Sequence, residues 1–223
     1  MLFALGDPVS LLLLLFSFVV ASTVHGYVQV VVAGRNGDRR PAAEGRASLD
    51  PRRHLDPFGA VAAAIAGVGW AKPVEPADRR HRGAMVATLV SGPIVNVVLG
   101  LGGLMAFRLA GGPPLTGGST VLLQYGIPGD LLLRALLLFG LSNLFVGGLS
   151  LVPLPPLDGG RLLFGLGPQT AGWRQAEYQL VERNIGVAVL LALLLIPLGG
   201  PQALLPTLLD TLLSPLVRLV TGG

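Results

Sequence analysis

A chain of 223 residues that is 52% hydrophobic and only 13% charged is too apolar for an ordinary soluble domain. Its net charge of +4 sits in a few polar segments where bases are mixed with acids, which excludes a nucleic-acid surface and fits the loops of a membrane protein. With no cysteine, disulfides and thiolate metal sites are excluded, and any metal must be held by carboxylates or by His25, His54 and His81.

Several apolar runs approach or exceed the roughly 18 to 20 residues that a bilayer-spanning helix needs. The first, residues 11–33, is interrupted only by small or weakly polar residues and by His25 and Gln29. A secretory signal is the competing reading. Residues 1–10 carry no Lys or Arg, however, and the run outlasts an ordinary h-region, so a retained span is expected. Residues 35–56 hold six Arg against four acidic residues and read as a solvated loop at a membrane surface. Residues 58–71 are apolar, rich in Ala and Gly, and short for a crossing. A full crossing there would put the basic segments 35–56 and 72–82 on opposite faces, so the run is predicted to dip in and return, or to pack as a buried half-span.

The second strong span, residues 84–107, contains Ser91-Gly92-Pro93 and Asn96. Proline inside a helix frees a backbone carbonyl, which lipid cannot satisfy, so this face is predicted to point inward. Residues 109–130 have no Lys or Arg and read as a loop on the opposite membrane face. Residues 131–152 form the third span, after which Pro153, Pro155 and Pro156 bar further helix and Leu157-Asp158-Gly159-Gly160 is predicted as an extended turn. A polar connection occupies 165–184, and an apolar run 185–198. The last stretch, 204–220, is interrupted by Asp210, Pro215 and Arg218 and reads as a short return span or a surface helix. The expected fold is an all-α polytopic membrane protein forming a single integral membrane domain over residues 1–223, with a core at about 11–161 and a C-terminal helical tail at about 185–220.

Segments 35–56, 72–82 and 161–183 hold 13 of the 16 basic residues and should be cytoplasmic, leaving the N-terminus and 109–130 outside. His25 lies eight residues before Ala33, or roughly 12 Å below that cytoplasmic surface at about 1.5 Å per residue. It meets Asp158 only if the proline-rich turn folds back into the membrane, which irregular backbone does where it lines a cavity.

Residues at i and i+4 share a helix face, which is how a His-Glu-x-x-His motif presents two imidazoles to one zinc ion with a general-base Glu beside them. Here His25 keeps the first position, Gly26 stands at the base position and Gln29 at the second ligand position. A neutral amide is a far weaker zinc ligand than imidazole. Loss of the base alone costs roughly 10² to 10⁴-fold in rate. On local pattern alone, His25 is a hydrogen-bonded core residue and Asp158 ordinary turn chemistry, although an ionisable group within a span keeps a functional reading open.

Taken together, the ordered blocks resemble the site-2 protease family of intramembrane zinc metalloproteases, in its compact bacterial form without a PDZ insert. Thr23-Val24-His25-Gly26-Tyr27-Val28-Gln29 stands where the family has its zinc helix. Gly45-Arg46-Ala47-Ser48-Leu49-Asp50-Pro51 and His54-Leu55-Asp56-Pro57-Phe58-Gly59 are similar to its loop motifs, and Gly69-Trp70-Ala71-Lys72-Pro73-Val74 to its next block. Ser91-Gly92-Pro93-Ile94-Val95-Asn96 resembles its Gly-Pro-x-x-Asn helix, and Pro153-Leu154-Pro155-Pro156-Leu157-Asp158-Gly159-Gly160 the segment bearing its third zinc ligand. The resemblance implies a three-helix core that cuts transmembrane segments around a buried zinc, with His25 and Asp158 as metal ligands and Asn96 as a substrate-side contact. The departures fall on the chemistry: Gly26 for the base, Gln29 for a ligand, Ser150 for a frequent Asn and Asp50 for Asn. Two protein ligands are fewer than the three of a catalytic zinc site. His54 is a candidate substitute, but its neighbours read as a charged surface loop.

The resulting reading is an impaired or inactive protease that binds transmembrane segments of partner proteins within the lipid bilayer of a bacterial plasma membrane. The alternative is an active metalloprotease with a rewired zinc site. A small transporter is disfavoured, because Arg108, Arg134 and Arg218 fall near span ends and no inverted repeat is evident.

Overall fold

The computed structural model describes residues 7–75, 81–116, 118, 129–197 and 203–223. Among them are the helices α1 (Pro8–Arg35), α2 (Pro57–Ala66), α3 (Arg82–Leu109), α4 (Leu131–Ser150), α5 (Asp158–Leu166), α6 (Ala171–Val181), α7 (Ile185–Leu195) and α8 (Leu204–Thr221). Helices α1, α3, α4 and α8 are each long and apolar enough to cross a bilayer. Their outer faces carry exposed apolar side chains, such as Leu12 and Phe16 on α1 and Leu208 and Leu212 on α8. Polar residues of the same helices, including His25, Gln29, Asn96 and Asn143, are buried. That inside-out distribution is the one lipid imposes, and the protein is an all-α polytopic membrane protein.

Helices α1, α3 and α4 pack on one another pairwise, with α8 against α3 and α4. Between α3 and α4 the contact is made by glycine. A Cβ on Gly100 would lie 2.8 Å from the Leu144 nitrogen, and one on Gly140 would lie 2.9 Å from the Leu104 nitrogen. Small residues let helix backbones approach closely where lipid tails are as apolar as any side chain and no hydrophobic drive separates the two.

The two ends of the bundle are held by arginines. At one, Arg134 of α4 bonds the carboxylate of Asp7, the N-cap of α1, and donates to Ser10 Oγ at 2.6 Å. That guanidinium holds the Asp7 carboxyl down at about 2. At the other end, Arg46 donates to the Lys72 and Pro73 carbonyls at 2.9 and 2.8 Å, and Arg161 reaches Glu75 at 3.5 Å. The described parts of the three basic segments therefore meet at one end of the bundle.

Residues 58–71 fold back on themselves. Asp56 caps α2 by accepting from the Gly59 N–H at 2.8 Å, Pro57 opens the helix, and Gly67 closes it in the left-handed region at φ 77°. The chain then runs back along α2 so closely that a Cβ on Gly59 would lie 2.2 Å from the Trp70 carbonyl oxygen. Entrance and exit are paired by an antiparallel bridge between Leu55 and Ala71 and by the Lys72 N–H donating to the His54 carbonyl at 2.7 Å. The glycines of the His54–Gly59 and Gly69–Val74 blocks are thus explained by backbone lying on backbone.

Two sequence expectations need correcting. The segment at 157–160 is not an extended turn throughout: only Leu157 is extended, and α5 begins at Asp158. Proline clashes with the turn before it and restricts the residue that precedes it, and leaves the residues after it free to be helical. The connection 165–184 also contains α6, capped by Thr170, and a bend of 62° at left-handed Asn184 leads into α7. Half of the 109–130 loop, residues 117 and 119–128, and residues 198–202 lie outside the described residues.

Candidate metal centre

His25 sits in the middle of α1 and Asp158 at the first position of α5, 133 residues apart, and their side chains meet: Nε2 of His25 lies 2.8 Å from Oδ2 of Asp158. Both are buried, at 2% and 4% exposure. The turn between α4 and α5 therefore carries Asp158 back against α1. Glycines permit it: a Cβ on Gly159 would lie 2.2 Å from the Leu151 carbonyl oxygen, and one on Gly160 would lie 2.2 Å from the Pro155 nitrogen. The Asp158-Gly159-Gly160 sequence is a packing requirement of the turn that delivers the carboxylate.

Helix α3 forms the next wall. A Cβ on Gly92 would lie 2.5 to 2.7 Å from three atoms of the His25 ring, so glycine makes the place in which the imidazole lies. Pro93 has no N–H and leaves the carbonyl four residues earlier, that of Leu89, without its helical donor. Gln29 supplies one: its Nε2 donates to Leu89 O at 3.3 Å. Gln29 thus lies one turn beyond His25 on the face toward α3, but its amide closes a gap in the helix backbone rather than joining the His25–Asp158 pair.

Gly26 faces His54. The sequence reads the His54 loop as a charged surface; the structure buries His54 completely, with Nε2 bonded to the Ser48 carbonyl at 2.7 Å. Burial is the main cause that pushes this imidazole below its ordinary value, and Arg46 and His25 add in the same direction against the Ser48 bond and Asp50. A group with a lowered folded value contributes stability that is complete above the ordinary value of 6.5 and is lost as pH falls toward the lowered one. The unfolding midpoint in detergent should therefore drop between pH 7 and 5, and His54→Gln should flatten that drop; an unchanged slope would contradict it.

The remaining expected positions lie away from the pair. Asn96 is fully buried between α3 and α4, and neither of its amide atoms has a hydrogen-bond partner among the described residues. Ser150 donates to the carbonyl of Val146 in its own helix at 2.8 Å. Asp50 caps the short turn Pro51–Arg53 through the Arg52 N–H at 3.0 Å. Sequence reasoning missed the burial of His54 and the role of Gln29. The second had a signal, since Pro93 announces an orphaned carbonyl at Leu89.

These side chains do not fit a catalytic zinc. Among the described residues no three His, Cys, Asp or Glu side chains converge. His25 and Asp158 bond each other directly, Gln29 gives its N–H to Leu89, and Gly26 offers no carboxylate; the atoms left without a hydrogen-bond partner among the described residues are His25 Nδ1 and the weakly ligating Gln29 Oε1. What the arrangement does provide is a buried imidazole–carboxylate pair packed at the junction of α1, α3 and α5.

No family model matches the chain, and no solved structure matches it. It is 35% identical over 203 residues, 86% of this chain and 85% of the relative, to the Bacillus subtilis (strain 168) protein named "Putative zinc metalloprotease YwhC". Identity at that level over most of both chains places this protein in the metalloprotease family to which YwhC belongs.

Proposed function

We propose that this protein is a degenerate member of the site-2 protease group, one that keeps the pocket of an intramembrane zinc protease, has lost or nearly lost hydrolysis, and binds transmembrane segments of partner proteins. The observation that carries the reading is the His25–Asp158 pair and what stands beside it. His25 and Asp158 bond each other at 2.8 Å, while the two positions that would complete a catalytic zinc site hold Gly26 and the neutral amide of Gln29, a far weaker ligand than imidazole, whose N–H is given to Leu89. A pocket with two protein ligands and no general base has lost the parts that activate water. In this reading the basic end of the bundle is cytoplasmic, the membrane is a bacterial plasma membrane, and Asn96, whose buried amide has no hydrogen-bond partner among the described residues, is the substrate-side contact, reached where α3 and α4 part.

The test is to purify the full chain in detergent, measure zinc by elemental analysis and assay cleavage of a transmembrane substrate. The expected result is zinc well below one per chain and no turnover. Stoichiometric zinc with turnover that His25→Ala abolishes would overturn the proposal and establish a working protease with a rewired ligand set.

A further inference from the structure

Gly26 and His54 are nested. A Cβ on Gly26 would lie 2.4 Å from His54 Nδ1, 3.1 Å from its Cγ and 3.4 Å from its Cβ, so the imidazole occupies the space that a side chain at position 26 would need. The ring is fixed from behind by Nε2 against the Ser48 carbonyl at 2.7 Å. A carbonyl only accepts, so Nε2 carries the proton. Nδ1, which has no hydrogen-bond partner among the described residues, therefore directs a lone pair at Gly26. Nor is the ring free to retreat. Its own carbonyl is bonded to the Lys72 N–H at 2.7 Å, the next residue is bridged to Ala71, and Arg46 ties the loop to the Lys72 and Pro73 carbonyls at 2.9 and 2.8 Å.

We propose that His54 is a plug: a positioning residue that fills the place of the absent side chain at position 26 and closes the loop side of the pocket beside His25 and Asp158. Positions 26 and 54 then act as one unit. A carboxylate introduced at position 26 finds its place taken, so Gly26→Glu by itself cannot rebuild a general base, and any side chain there must first displace a loop held at four points. The inference goes beyond the proposed function, because it concerns how the pocket is closed and holds whether or not the pocket hydrolyses.

A double-mutant cycle on the full chain in detergent tests it. Gly26→Ala is expected to lower the unfolding midpoint by about 5 °C in the wild-type background, as overpacking of a buried contact does in a domain of this size. With His54→Gly the same substitution should be neutral or stabilising, because alanine is the better helix former once the clash is gone. Should Gly26→Ala fail to fold alone, recovery of folded protein in the His54→Gly background gives the same support. Equal losses in both backgrounds, or no loss in the wild type, would overturn the coupling. Access is read separately by modifying histidines with diethyl pyrocarbonate and mapping the peptides. His25 should react at least about tenfold faster in folded His54→Gly than in the wild type, following the population of open pocket; an unchanged rate would overturn the plug. Neither readout involves zinc or cleavage, so failure here leaves the proposed function standing, and failure there leaves the plug standing.

Discussion

Asp158→Leu and His25→Leu should each destabilise the protein by about 3 kcal/mol, and the two together should restore most of the loss. Each single change strands a buried polar group in a pocket where its partner is 2 to 4% exposed. The stranded group keeps its desolvation cost with nothing to offset it. The double variant removes both polar groups and fills their place with apolar side chains of similar bulk. Thermal unfolding in detergent measures all four corners of the cycle. If the double variant is as damaged as the sum of the singles, the pair is not a self-contained unit, and its surroundings, including His54 and Gly92, contribute to what each partner does. Under the proposed function the double variant also keeps partner binding, since neither side chain has chemistry left to perform.

Gly160→Ala, a change of one methyl group, should cost about 3 kcal/mol or more and detach Asp158 from His25. The methyl would lie 2.2 Å from the Pro155 nitrogen and 2.3 Å from the Leu154 carbonyl carbon. Both are backbone atoms of the same tight turn, so no side chain can swing aside and the turn itself must move. Gly102→Ala in α3 is the control: nothing lies within 4 Å of a Cβ there, and the change should be neutral or slightly stabilising. A Gly160→Ala protein as stable as the Gly102→Ala protein would show that the turn has slack and that the carboxylate is not held by its glycines.

How much of the fold and of the site is legible in the sequence depends on how far each signal reaches. Spans are readable because the bilayer demands long apolar runs, and α1, α3 and α4 lie where composition puts them. The return of residues 58–71 is readable from charge on either side of a run too short to cross. The meeting of His25 with Asp158 is predicted on condition that the proline-rich turn fold back, and it does, through Gly159 and Gly160. Helix α5 is illegible because two adjacent glycines in a first turn argue locally against helix, and only their contact with residues 151–155 reverses that. His54 misleads for a related reason. Its neighbours Arg52, Arg53 and Asp56 are polar, and sequence averages over neighbours, whereas the loop turns that one ring inward under the Ser48 carbonyl. Burial decided by a long-range contact leaves no trace in composition.

The paired ends of the α2 hairpin bear on how the chain is threaded during synthesis. A ten-residue helix is a weak signal for insertion. Were it a crossing, each failure to insert would invert the topology of α3 and every helix after it. Because Leu55 and Ala71 are bridged, the excursion adds nothing to the parity of crossings, and α3 starts from the same side whether the hairpin enters early, late or only after the core has assembled. The insertion of this ten-residue helix is thereby separated from the step that sets the chain's orientation.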